Sequence, residues 1–422
     1  MTTKATVLFS LVLAAGAVSA RPVDTAAIIW PAYQGEPRWS AELGIFRHGV
    51  GEWQNVYEGT PRFEGHYQPV VPYWGYERDD DPKALARQID AALAAGVNVF
   101  IYDWYWYGGR PFLENALNEG FLKAPNNERM KFYVMWANHH VTGLWDNKEA
   151  NASLDTLKWP CFVTSEEFRT KLVPRFIGYF KKPNYYKIDG KPVFWLYNAD
   201  DFYRGISGET DARNKSKITA EMVAKAKAEF DYFRAEAKKA GFPGIHLQYH
   251  AGYLVTTWTE KTESKCPPIP GDDKPSVDAF AAYLGIDSFC TYNAPRPPEF
   301  SAKPETNHMD YALYAPYAVK KYDAIAELTD VPFFPTVSTG WDNNARFPAN
   351  VTKKIIVNNT PGLVEDFMRK CRDHALAKTK GPKKLVLINA WNEWTEGESL
   401  MPDTKRGYGF LNACARVFFD ND

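Results

Sequence analysis

The sequence predicts a parallel (β/α)8 barrel, the TIM-barrel class, with long strand-to-helix loops. Three observations lead there. Eight short apolar runs recur along the chain, each bounded by turn residues. Stretches of helical period lie between them. Long polar segments at 34–80, 139–163, 199–218 and 251–274 mostly follow a run, on the side where such a barrel builds its functional loops.

The runs are "AAIIWPAY" (26–33), "VNVFIYDWYWY" (97–107), "KFYVMWAN" (131–138), "KPVFWLYN" (191–198), "IHLQYH" (245–250), "DSFCTYN" (287–293), "FFPTVSTGWD" (333–342) and "KLVLINAWNEW" (384–394). Most open with continuous β-branched or aromatic residues, as strands buried on both faces do. The first helix, 81–96, starts with Asp81 as a cap and Pro82 in the first turn, and stops at Gly96. The stretch 164–180 opens on a capping-box-like Thr164 and carries Pro174, which predicts a kink. Helical patterns follow at 219–241, 275–285, 314–328, 360–378 and 407–420. A doubly wound sheet is the competing architecture, but no Gly-rich βα turn carries the dinucleotide fingerprint.

The N-terminal 22 residues, "MTTKATVLFSLVLAAGAVSARP", read as a signal peptide with Lys4, an apolar stretch and a small-residue site at Val18-Ser19-Ala20. Cleavage near Ala20 predicts a secreted or periplasmic protein, with residues 1–20 as leader and 21–422 as one catalytic domain. No segment is long enough and apolar enough to predict a membrane span. The 50 basic and 51 acidic residues leave a formal charge of −1, which gives no electrostatic footprint for nucleic acid. Five cysteines without CxxC spacing predict no zinc cluster; the odd number leaves at least one thiol unpaired in a monomer, and the apolar settings of Cys290 and Cys371 predict buried free thiols there.

The strand ends share one chemistry. Trp30 and Tyr33 end the first run; Asp103, Trp104 and Tyr105 the second; Trp136, Asn138 and His139 the third; Tyr197 the fourth. His250, Tyr292, and then Trp341, Asp342 and Arg346 end the fifth, sixth and seventh. Asn392, Glu393, Trp394 and Glu396 end the eighth. Aromatic and polar groups converging on one rim make a cleft suited to sugars, whose C–H faces stack on aromatic rings. This predicts an oligo- or polysaccharide partner. Arg346, with Arg38, Arg47 and Arg110, is weighed as a contact to sulfate or uronate against an ordinary solvated surface. Within "WNEWTEGESLMPD" (391–403), Glu393 and Glu396 are three residues apart. On a continuing strand they face opposite sides; on a helical turn they share one, with Cβ atoms roughly 5–6 Å apart. Indoles beside them raise a carboxyl's pKa, and a carboxyl pair is the equipment of glycosidic cleavage. Glu398 reads as part of an acid cluster at a helix start. There is no HExxH, Gly-rich phosphate loop or GxSxG elbow in a strand-turn-helix setting, so no cofactor and no catalytic metal is expected, with a loop-bound calcium left open.

The segments "GVGEWQNVYEGTPRFEGHYQP" (49–69), "IYDWYWYGG" (101–109), "MWANHH" (135–140), "GWDNNAR" (340–346) and "INAWNEWTEGESLMPD" (388–403) resemble WbsX-like proteins related to glycoside hydrolase family 99. The resemblance adds Glu52 and His66 to the substrate-binding candidates. It implies a (β/α)8 barrel and a metal-independent retaining mechanism, as in endo-α-mannosidases. By it, Glu393 is the base for the sugar 2-hydroxyl, which forms a 1,2-anhydro intermediate, and Glu396 is the general acid, then base. The endo-mannosidases have His between the two glutamates where this chain has Thr395, so cleavage of α-mannan is not carried over. The main expectation is a glycoside hydrolase acting on an α-linked glycan. A WbsX-type glycosyltransferase and a non-catalytic polysaccharide-binding barrel are the alternatives.

Overall fold

The computed structural model describes residues 21–149, 153–256, 261–298, 300 and 308–419. The expected leader lies outside the described residues. Eight runs do form the barrel, each shorter than its apolar stretch. They are β1 (Asp24–Ile29), β2 (Val99–Tyr107), β3 (Lys131–Trp136), β4 (Lys191–Leu196), β5 (His246–His250), β6 (Ser288–Cys290), β7 (Phe333–Phe334, resumed at Thr336–Ser338) and β8 (Leu385–Asn389). β2 and β5 reach the ends of their runs, and the others stop earlier, where the chain turns toward the loops. Every neighbouring pair is parallel, and β1 lies between β8 and β2.

Closure depends on β7, which Pro335 divides. Proline has no N–H to give a ladder. The first half of β7 pairs with β6, Phe333 opposite Phe289, and the second half with β8, Thr336 opposite Leu387. The Pro335 carbonyl still accepts the Leu387 N–H at 2.9 Å, so the strand spans the seam without losing that bond.

The helices start and stop where local chemistry dictates. The Asp81 carboxylate caps Pro82–Ala94 by accepting the Lys83 N–H. The chain then leaves through Gly96 at φ 87°, where a Cβ would lie 2.9 Å from the Phe418 backbone. Thr164 caps the next helix through the Glu167 N–H, as its capping-box-like start predicts. The kink expected at Pro174 is a π turn, Phe168–Leu172, set directly before Val173–Phe180. A missing N–H breaks the regular ladder, and the wider turn absorbs it. Ala220–Lys239, Val277–Leu284, Tyr311–Leu328, Pro361–Ala377 and Gly409–Phe418 complete the outer layer. The β2–β3 connection differs: among its described residues it carries a π turn, Ala116–Gly120, and a 3₁₀ turn, Phe121–Lys123. No described helix is long and apolar enough to cross a membrane. The five cysteines are free thiols, four of them buried.

Strand parity sorts side chains between the barrel interior and the helix layer. All nine residues of β2 are buried. Trp104 and Trp106 stack on each other, and Trp104 packs edge-on against Phe176 in the helix layer. Asp103 and Tyr105, on the opposite parity, face the barrel mouth.

Candidate active site

The turn after β8 answers how two glutamates three apart meet. Asn392–Glu393 pairs antiparallel with Glu398–Ser399, and a 3₁₀ turn, Trp394–Glu396, joins them. In a 3₁₀ turn residues i and i+3 eclipse, so Glu393 and Glu396 present their carboxyls to one side. Gly397 closes the turn at φ 66°, a left-handed conformation that glycine adopts without cost. Carboxylate oxygens of Glu393, Glu396 and Glu398 lie within 4.8 Å of one another.

Glu393 and Glu396 open on a cavity of about 400 Å³ at the mouth of the barrel. Trp30, Asp103, Tyr105, His139, Tyr197, Tyr292, Trp341 and Arg346 line it with them. So do Asn198 and Asn293, at the ends of the fourth and sixth runs, and Met135, Trp145 and Tyr253, which the strand-end reading did not select. Trp145 lies in the long 139–163 loop and packs 5.8 Å from Trp30, ring to ring. Met135 was readable from register, since it pairs with Asp103 and shares its side of the sheet.

Arg346 sits at the centre of the charge, 2% exposed. Its Nε donates to Glu52 at 2.7 Å, Nη1 contacts Glu396, and Nη2 lies 3.5 Å from Glu393. Burial opposes its charge, but Glu52, Glu396 and Glu393 together hold it firmly protonated. A free contact to a sulfate or uronate is therefore the wrong assignment for Arg346, because carboxylates of the protein already occupy it. Glu52 is fully buried and also accepts from Trp30 Nε1 and from Thr395 Oγ1 at 2.9 Å. The Thr395 hydroxyl thus turns inward to Glu52, away from the cavity.

Arg346, with Arg296 acting at longer range on Glu396, does not offset the burial of Glu393, Glu396 and Asp103, whose carboxyls are all pushed upward. Burial and the neighbouring Glu396 push the Glu393 carboxyl well above its usual range. Burial raises Glu396 as well, against the pull of Arg346. Burial raises Asp103 far above a normal carboxylate. The geometry independently requires a proton here. Tyr292 Oη is 2.8 Å from Glu393 and 3.0 Å from Asp103, yet a phenol has one hydrogen to give. The second contact is satisfied only when one of the two acids donates to Tyr292.

Other expected residues go elsewhere. Trp104 and Trp136 belong to the helix layer: Trp104 Nε1 donates to Glu114 at 2.7 Å, and Trp136 stacks on Phe168. Their parity excludes them from the sugar site. Tyr33 is sealed against Trp53 at 4.1 Å between ring centroids. Asn138 brackets the Asn198 backbone, accepting its N–H at 2.8 Å and donating to its carbonyl at 2.6 Å. Asn392 does the same for Trp30 at 2.8 and 3.0 Å. His250 accepts the Gly252 N–H and packs edge-on against Tyr197 behind the cavity wall. His66, Asp342 and Trp394 line a different cleft, which shares Trp341 with the first.

Among the described residues, two groups have the residue types to hold a metal. In His140–Cys161–Asp201, His140 Nδ1 accepts the Cys161 N–H at 3.0 Å. The neutral ring then carries its hydrogen on Nε2, the atom facing Asp201 at 3.5 Å, so that lone pair is not available. Among Glu393, Glu396 and Glu398, the Arg346 guanidinium supplies the cation that the carboxylates would otherwise seek.

A family model described as "Glycosyltransferase WbsX" matches residues 44–208 and 218–414. Two curated proteins of Xanthomonas campestris pv. campestris, both described as "Uncharacterized protein WxcX", are similar over most of the chain. The one from strain B100 is 24% identical over 397 residues, and the one from strain ATCC 33913 is 25% identical over 401. Each match covers 93% of this chain and 49% of the relative, so the chain spans about half the length of these relatives. Among solved structures, a GH99 endo-alpha-mannosidase from Bacteroides thetaiotaomicron, in complex with bis-tris-propane, superposes with a TM-score of 0.51 at 14% identity. That match covers 94% of this chain and 95% of the other. A glycoside hydrolase-like protein gives 0.53 at 13% identity, covering 94% of each. Likeness at this level establishes the fold.

Proposed function

The chain belongs to the family described as glycosyltransferase WbsX, and from that premise we propose that it is a glycoside hydrolase cleaving α-linked glycans with retention of configuration. The observation that carries the reading is the Glu393–Glu396 pair, held on one side of a tight turn in an aromatic cavity of about 400 Å³.

The proposed chemistry assigns each acid by what it faces. A glycosidic oxygen can only accept a hydrogen bond, so Glu396 beside it is favoured in its protonated form. A 2-hydroxyl can donate, and with Tyr292 also donating to Glu393 the seated sugar favours the Glu393 carboxylate, against the burial that raises it. Asp103, kept protonated by burial, donates to Tyr292, and Tyr292 donates to Glu393, which supports the bare carboxylate there. Glu393 takes the 2-hydroxyl proton as O2 bonds to C1. The C1–O1 bond breaks, and Glu396 gives its proton to the leaving oxygen. Water then bonds to C1 as the C1–O2 bond opens; the water gives its proton to Glu396, and O2 recovers its proton from Glu393. Both acids finish as they began. Trp30, Tyr105, Trp145 and Tyr197 supply ring faces for the sugar, and the cavity walls exclude bulk water.

The test is a screen of the mature protein against plant, algal, fungal and bacterial glycans, reading released oligosaccharides, followed by Glu396→Gln. The variant is expected to stay folded and to lose about 10²–10⁴-fold in turnover on the glycan that is cleaved. Turnover within threefold of wild type removes the assignment. The family description carries a second reading, transfer from a nucleotide sugar; consumption of such a donor with no glycan hydrolysed would favour it. Export is part of the proposal, and N-terminal sequencing of the secreted chain should begin near Arg21.

A further inference from the structure

The cleft on the other side of Trp341 is larger than the carboxylate cavity, about 430 Å³ against about 400 Å³. The two are built from the same turn: Glu393 and Glu396 face one, and Trp394, Gly397 and Ser399 line the other. Trp341 lines both. Arg296 covers part of that indole, its guanidinium 3.5 Å from the ring centroid, and fixes the wall.

The lining of this second cleft has the make-up of a sugar site. Phe63 and His66 stack nearly parallel, 5° apart with centroids at 4.5 Å. Tyr67, Trp341 and Trp394 add ring faces, and Asn359, Asp403 and Lys405 add polar groups around them. Trp394 is 2% exposed, and its Nε1–H has no hydrogen-bond acceptor in the protein. Lys405 approaches the Tyr67 ring from the solvent side at 4.8 Å. Three residues along the chain, Tyr408, 42% exposed, meets Tyr73, 56% exposed, with centroids 5.5 Å apart.

We infer that this second cleft binds the continuation of the same sugar chain that enters the carboxylate cavity, so that the two lobes grip one glycan across Trp341. The inference rests on the reading of the protein as a glycan-cleaving enzyme. It makes the protein selective for substrates several sugars long, with the Tyr67–Lys405 side gripping residues distant from the cleaved bond.

The experiment uses the full mature chain and a Tyr67→Ala/Lys405→Ala variant, both positions being partly exposed and tolerant of truncation. Each protein is run in native gels cast with each panel polysaccharide. Each is then assayed on the polysaccharide that wild type cleaves and on the shortest fragment of it that wild type still cleaves. The variant should lose retardation by the polysaccharide, and its kcat/KM on polymer relative to that on the short fragment should fall about tenfold. A ratio within twofold of wild type, with retardation kept, overturns the second cleft while leaving the hydrolase reading intact. If no polysaccharide retards wild type or is cleaved by it, the inference and its premise fall together. A variant that melts well below wild type is replaced by Tyr67→Phe/Lys405→Gln, read by the same ratio.

Discussion

Asp342 and Glu396 lie on adjoining turns, the Asp342 N–H donating to the Glu396 carbonyl at 2.6 Å, and their carboxyls live opposite lives. Asp342 accepts four hydrogen bonds: from His66 Nε2 at 2.7 Å, Gln68 Nε2 at 2.8 Å, and the Asn344 backbone and side chain at 3.0 and 2.7 Å. Burial pulls that carboxyl upward, but these donors hold it below its ordinary range. The acids of the β8 turn have few donors. Glu398 takes one hydrogen bond from Asn389, and its Oε1 has no partner. Burial raises Glu398, Glu393 and Glu396 together. A fully satisfied carboxylate is scaffold, whereas under-satisfied ones keep exchangeable protons at a cavity wall. That contrast moves Asp342 from sugar contact to support for the Glu396 backbone.

Removing the cation that the under-satisfied acids share should break the contrast most severely. Arg346→Met leaves Glu52, Glu393 and Glu396 without their common partner and should cost about 3–5 kcal/mol near neutral pH. The loss should shrink in acid, where the carboxylates take up protons. Chemical denaturation of variant and wild type at two pH values measures both statements.

Asp342→Asn and Glu398→Gln sharpen the comparison because their pH trends have opposite signs. A carboxyl with a depressed folded pKa stabilises above its unfolded pKa, and that contribution is lost as pH falls. Asp342→Asn should therefore cost about 1–3 kcal/mol near neutrality, the deficit fading in acid. A carboxyl with a raised folded pKa favours the fold only while protonated, and the contribution is lost as pH rises. Glu398→Gln, which mimics the protonated acid, should gain on wild type as pH rises above the unfolded carboxyl's range, about 4.3. Melting curves of wild type and both variants should show the Asp342→Asn deficit fading only as pH falls below about 4, and the Glu398→Gln gain growing as pH rises above about 4.3; differences that stay constant with pH for both would remove the distinction between the two turns.

The smallest effect on chemistry is expected in the helix layer. Trp104→Phe deletes the indole that donates to Glu114 and should cost about 1–2 kcal/mol of stability. Turnover should stay within about twofold, since Trp104 faces away from the cavity. A larger loss of turnover at unchanged stability would return Trp104 to the site.

The barrel was legible because its strands are buried on both faces, and continuous apolar runs bounded by turns survive in one dimension. The same burial hid which side each residue takes. In "DWYWY" the outward Trp104 and the inward Tyr105 are equally apolar; only parity counted from Asp103 separates them. The Glu393–Glu396 pair was legible through its spacing, given a helical turn. Glu52 and Arg346 were named, but not as partners, because 294 residues separate them and nothing local marks a buried guanidinium. Pro335 was visible in the seventh run, yet its role as the seam between β6 and β8 emerges only when the barrel closes.

The central claim is that Glu393 works through the sugar's own 2-hydroxyl while Glu396 handles the leaving oxygen. The most direct measurement uses the shortest glycan that the protein cleaves, made with a 2-O-methyl group on the sugar whose bond breaks. The account predicts that the methylated glycan binds and is not cut, while the unmodified glycan is. Cleavage of both at comparable rates would contradict it.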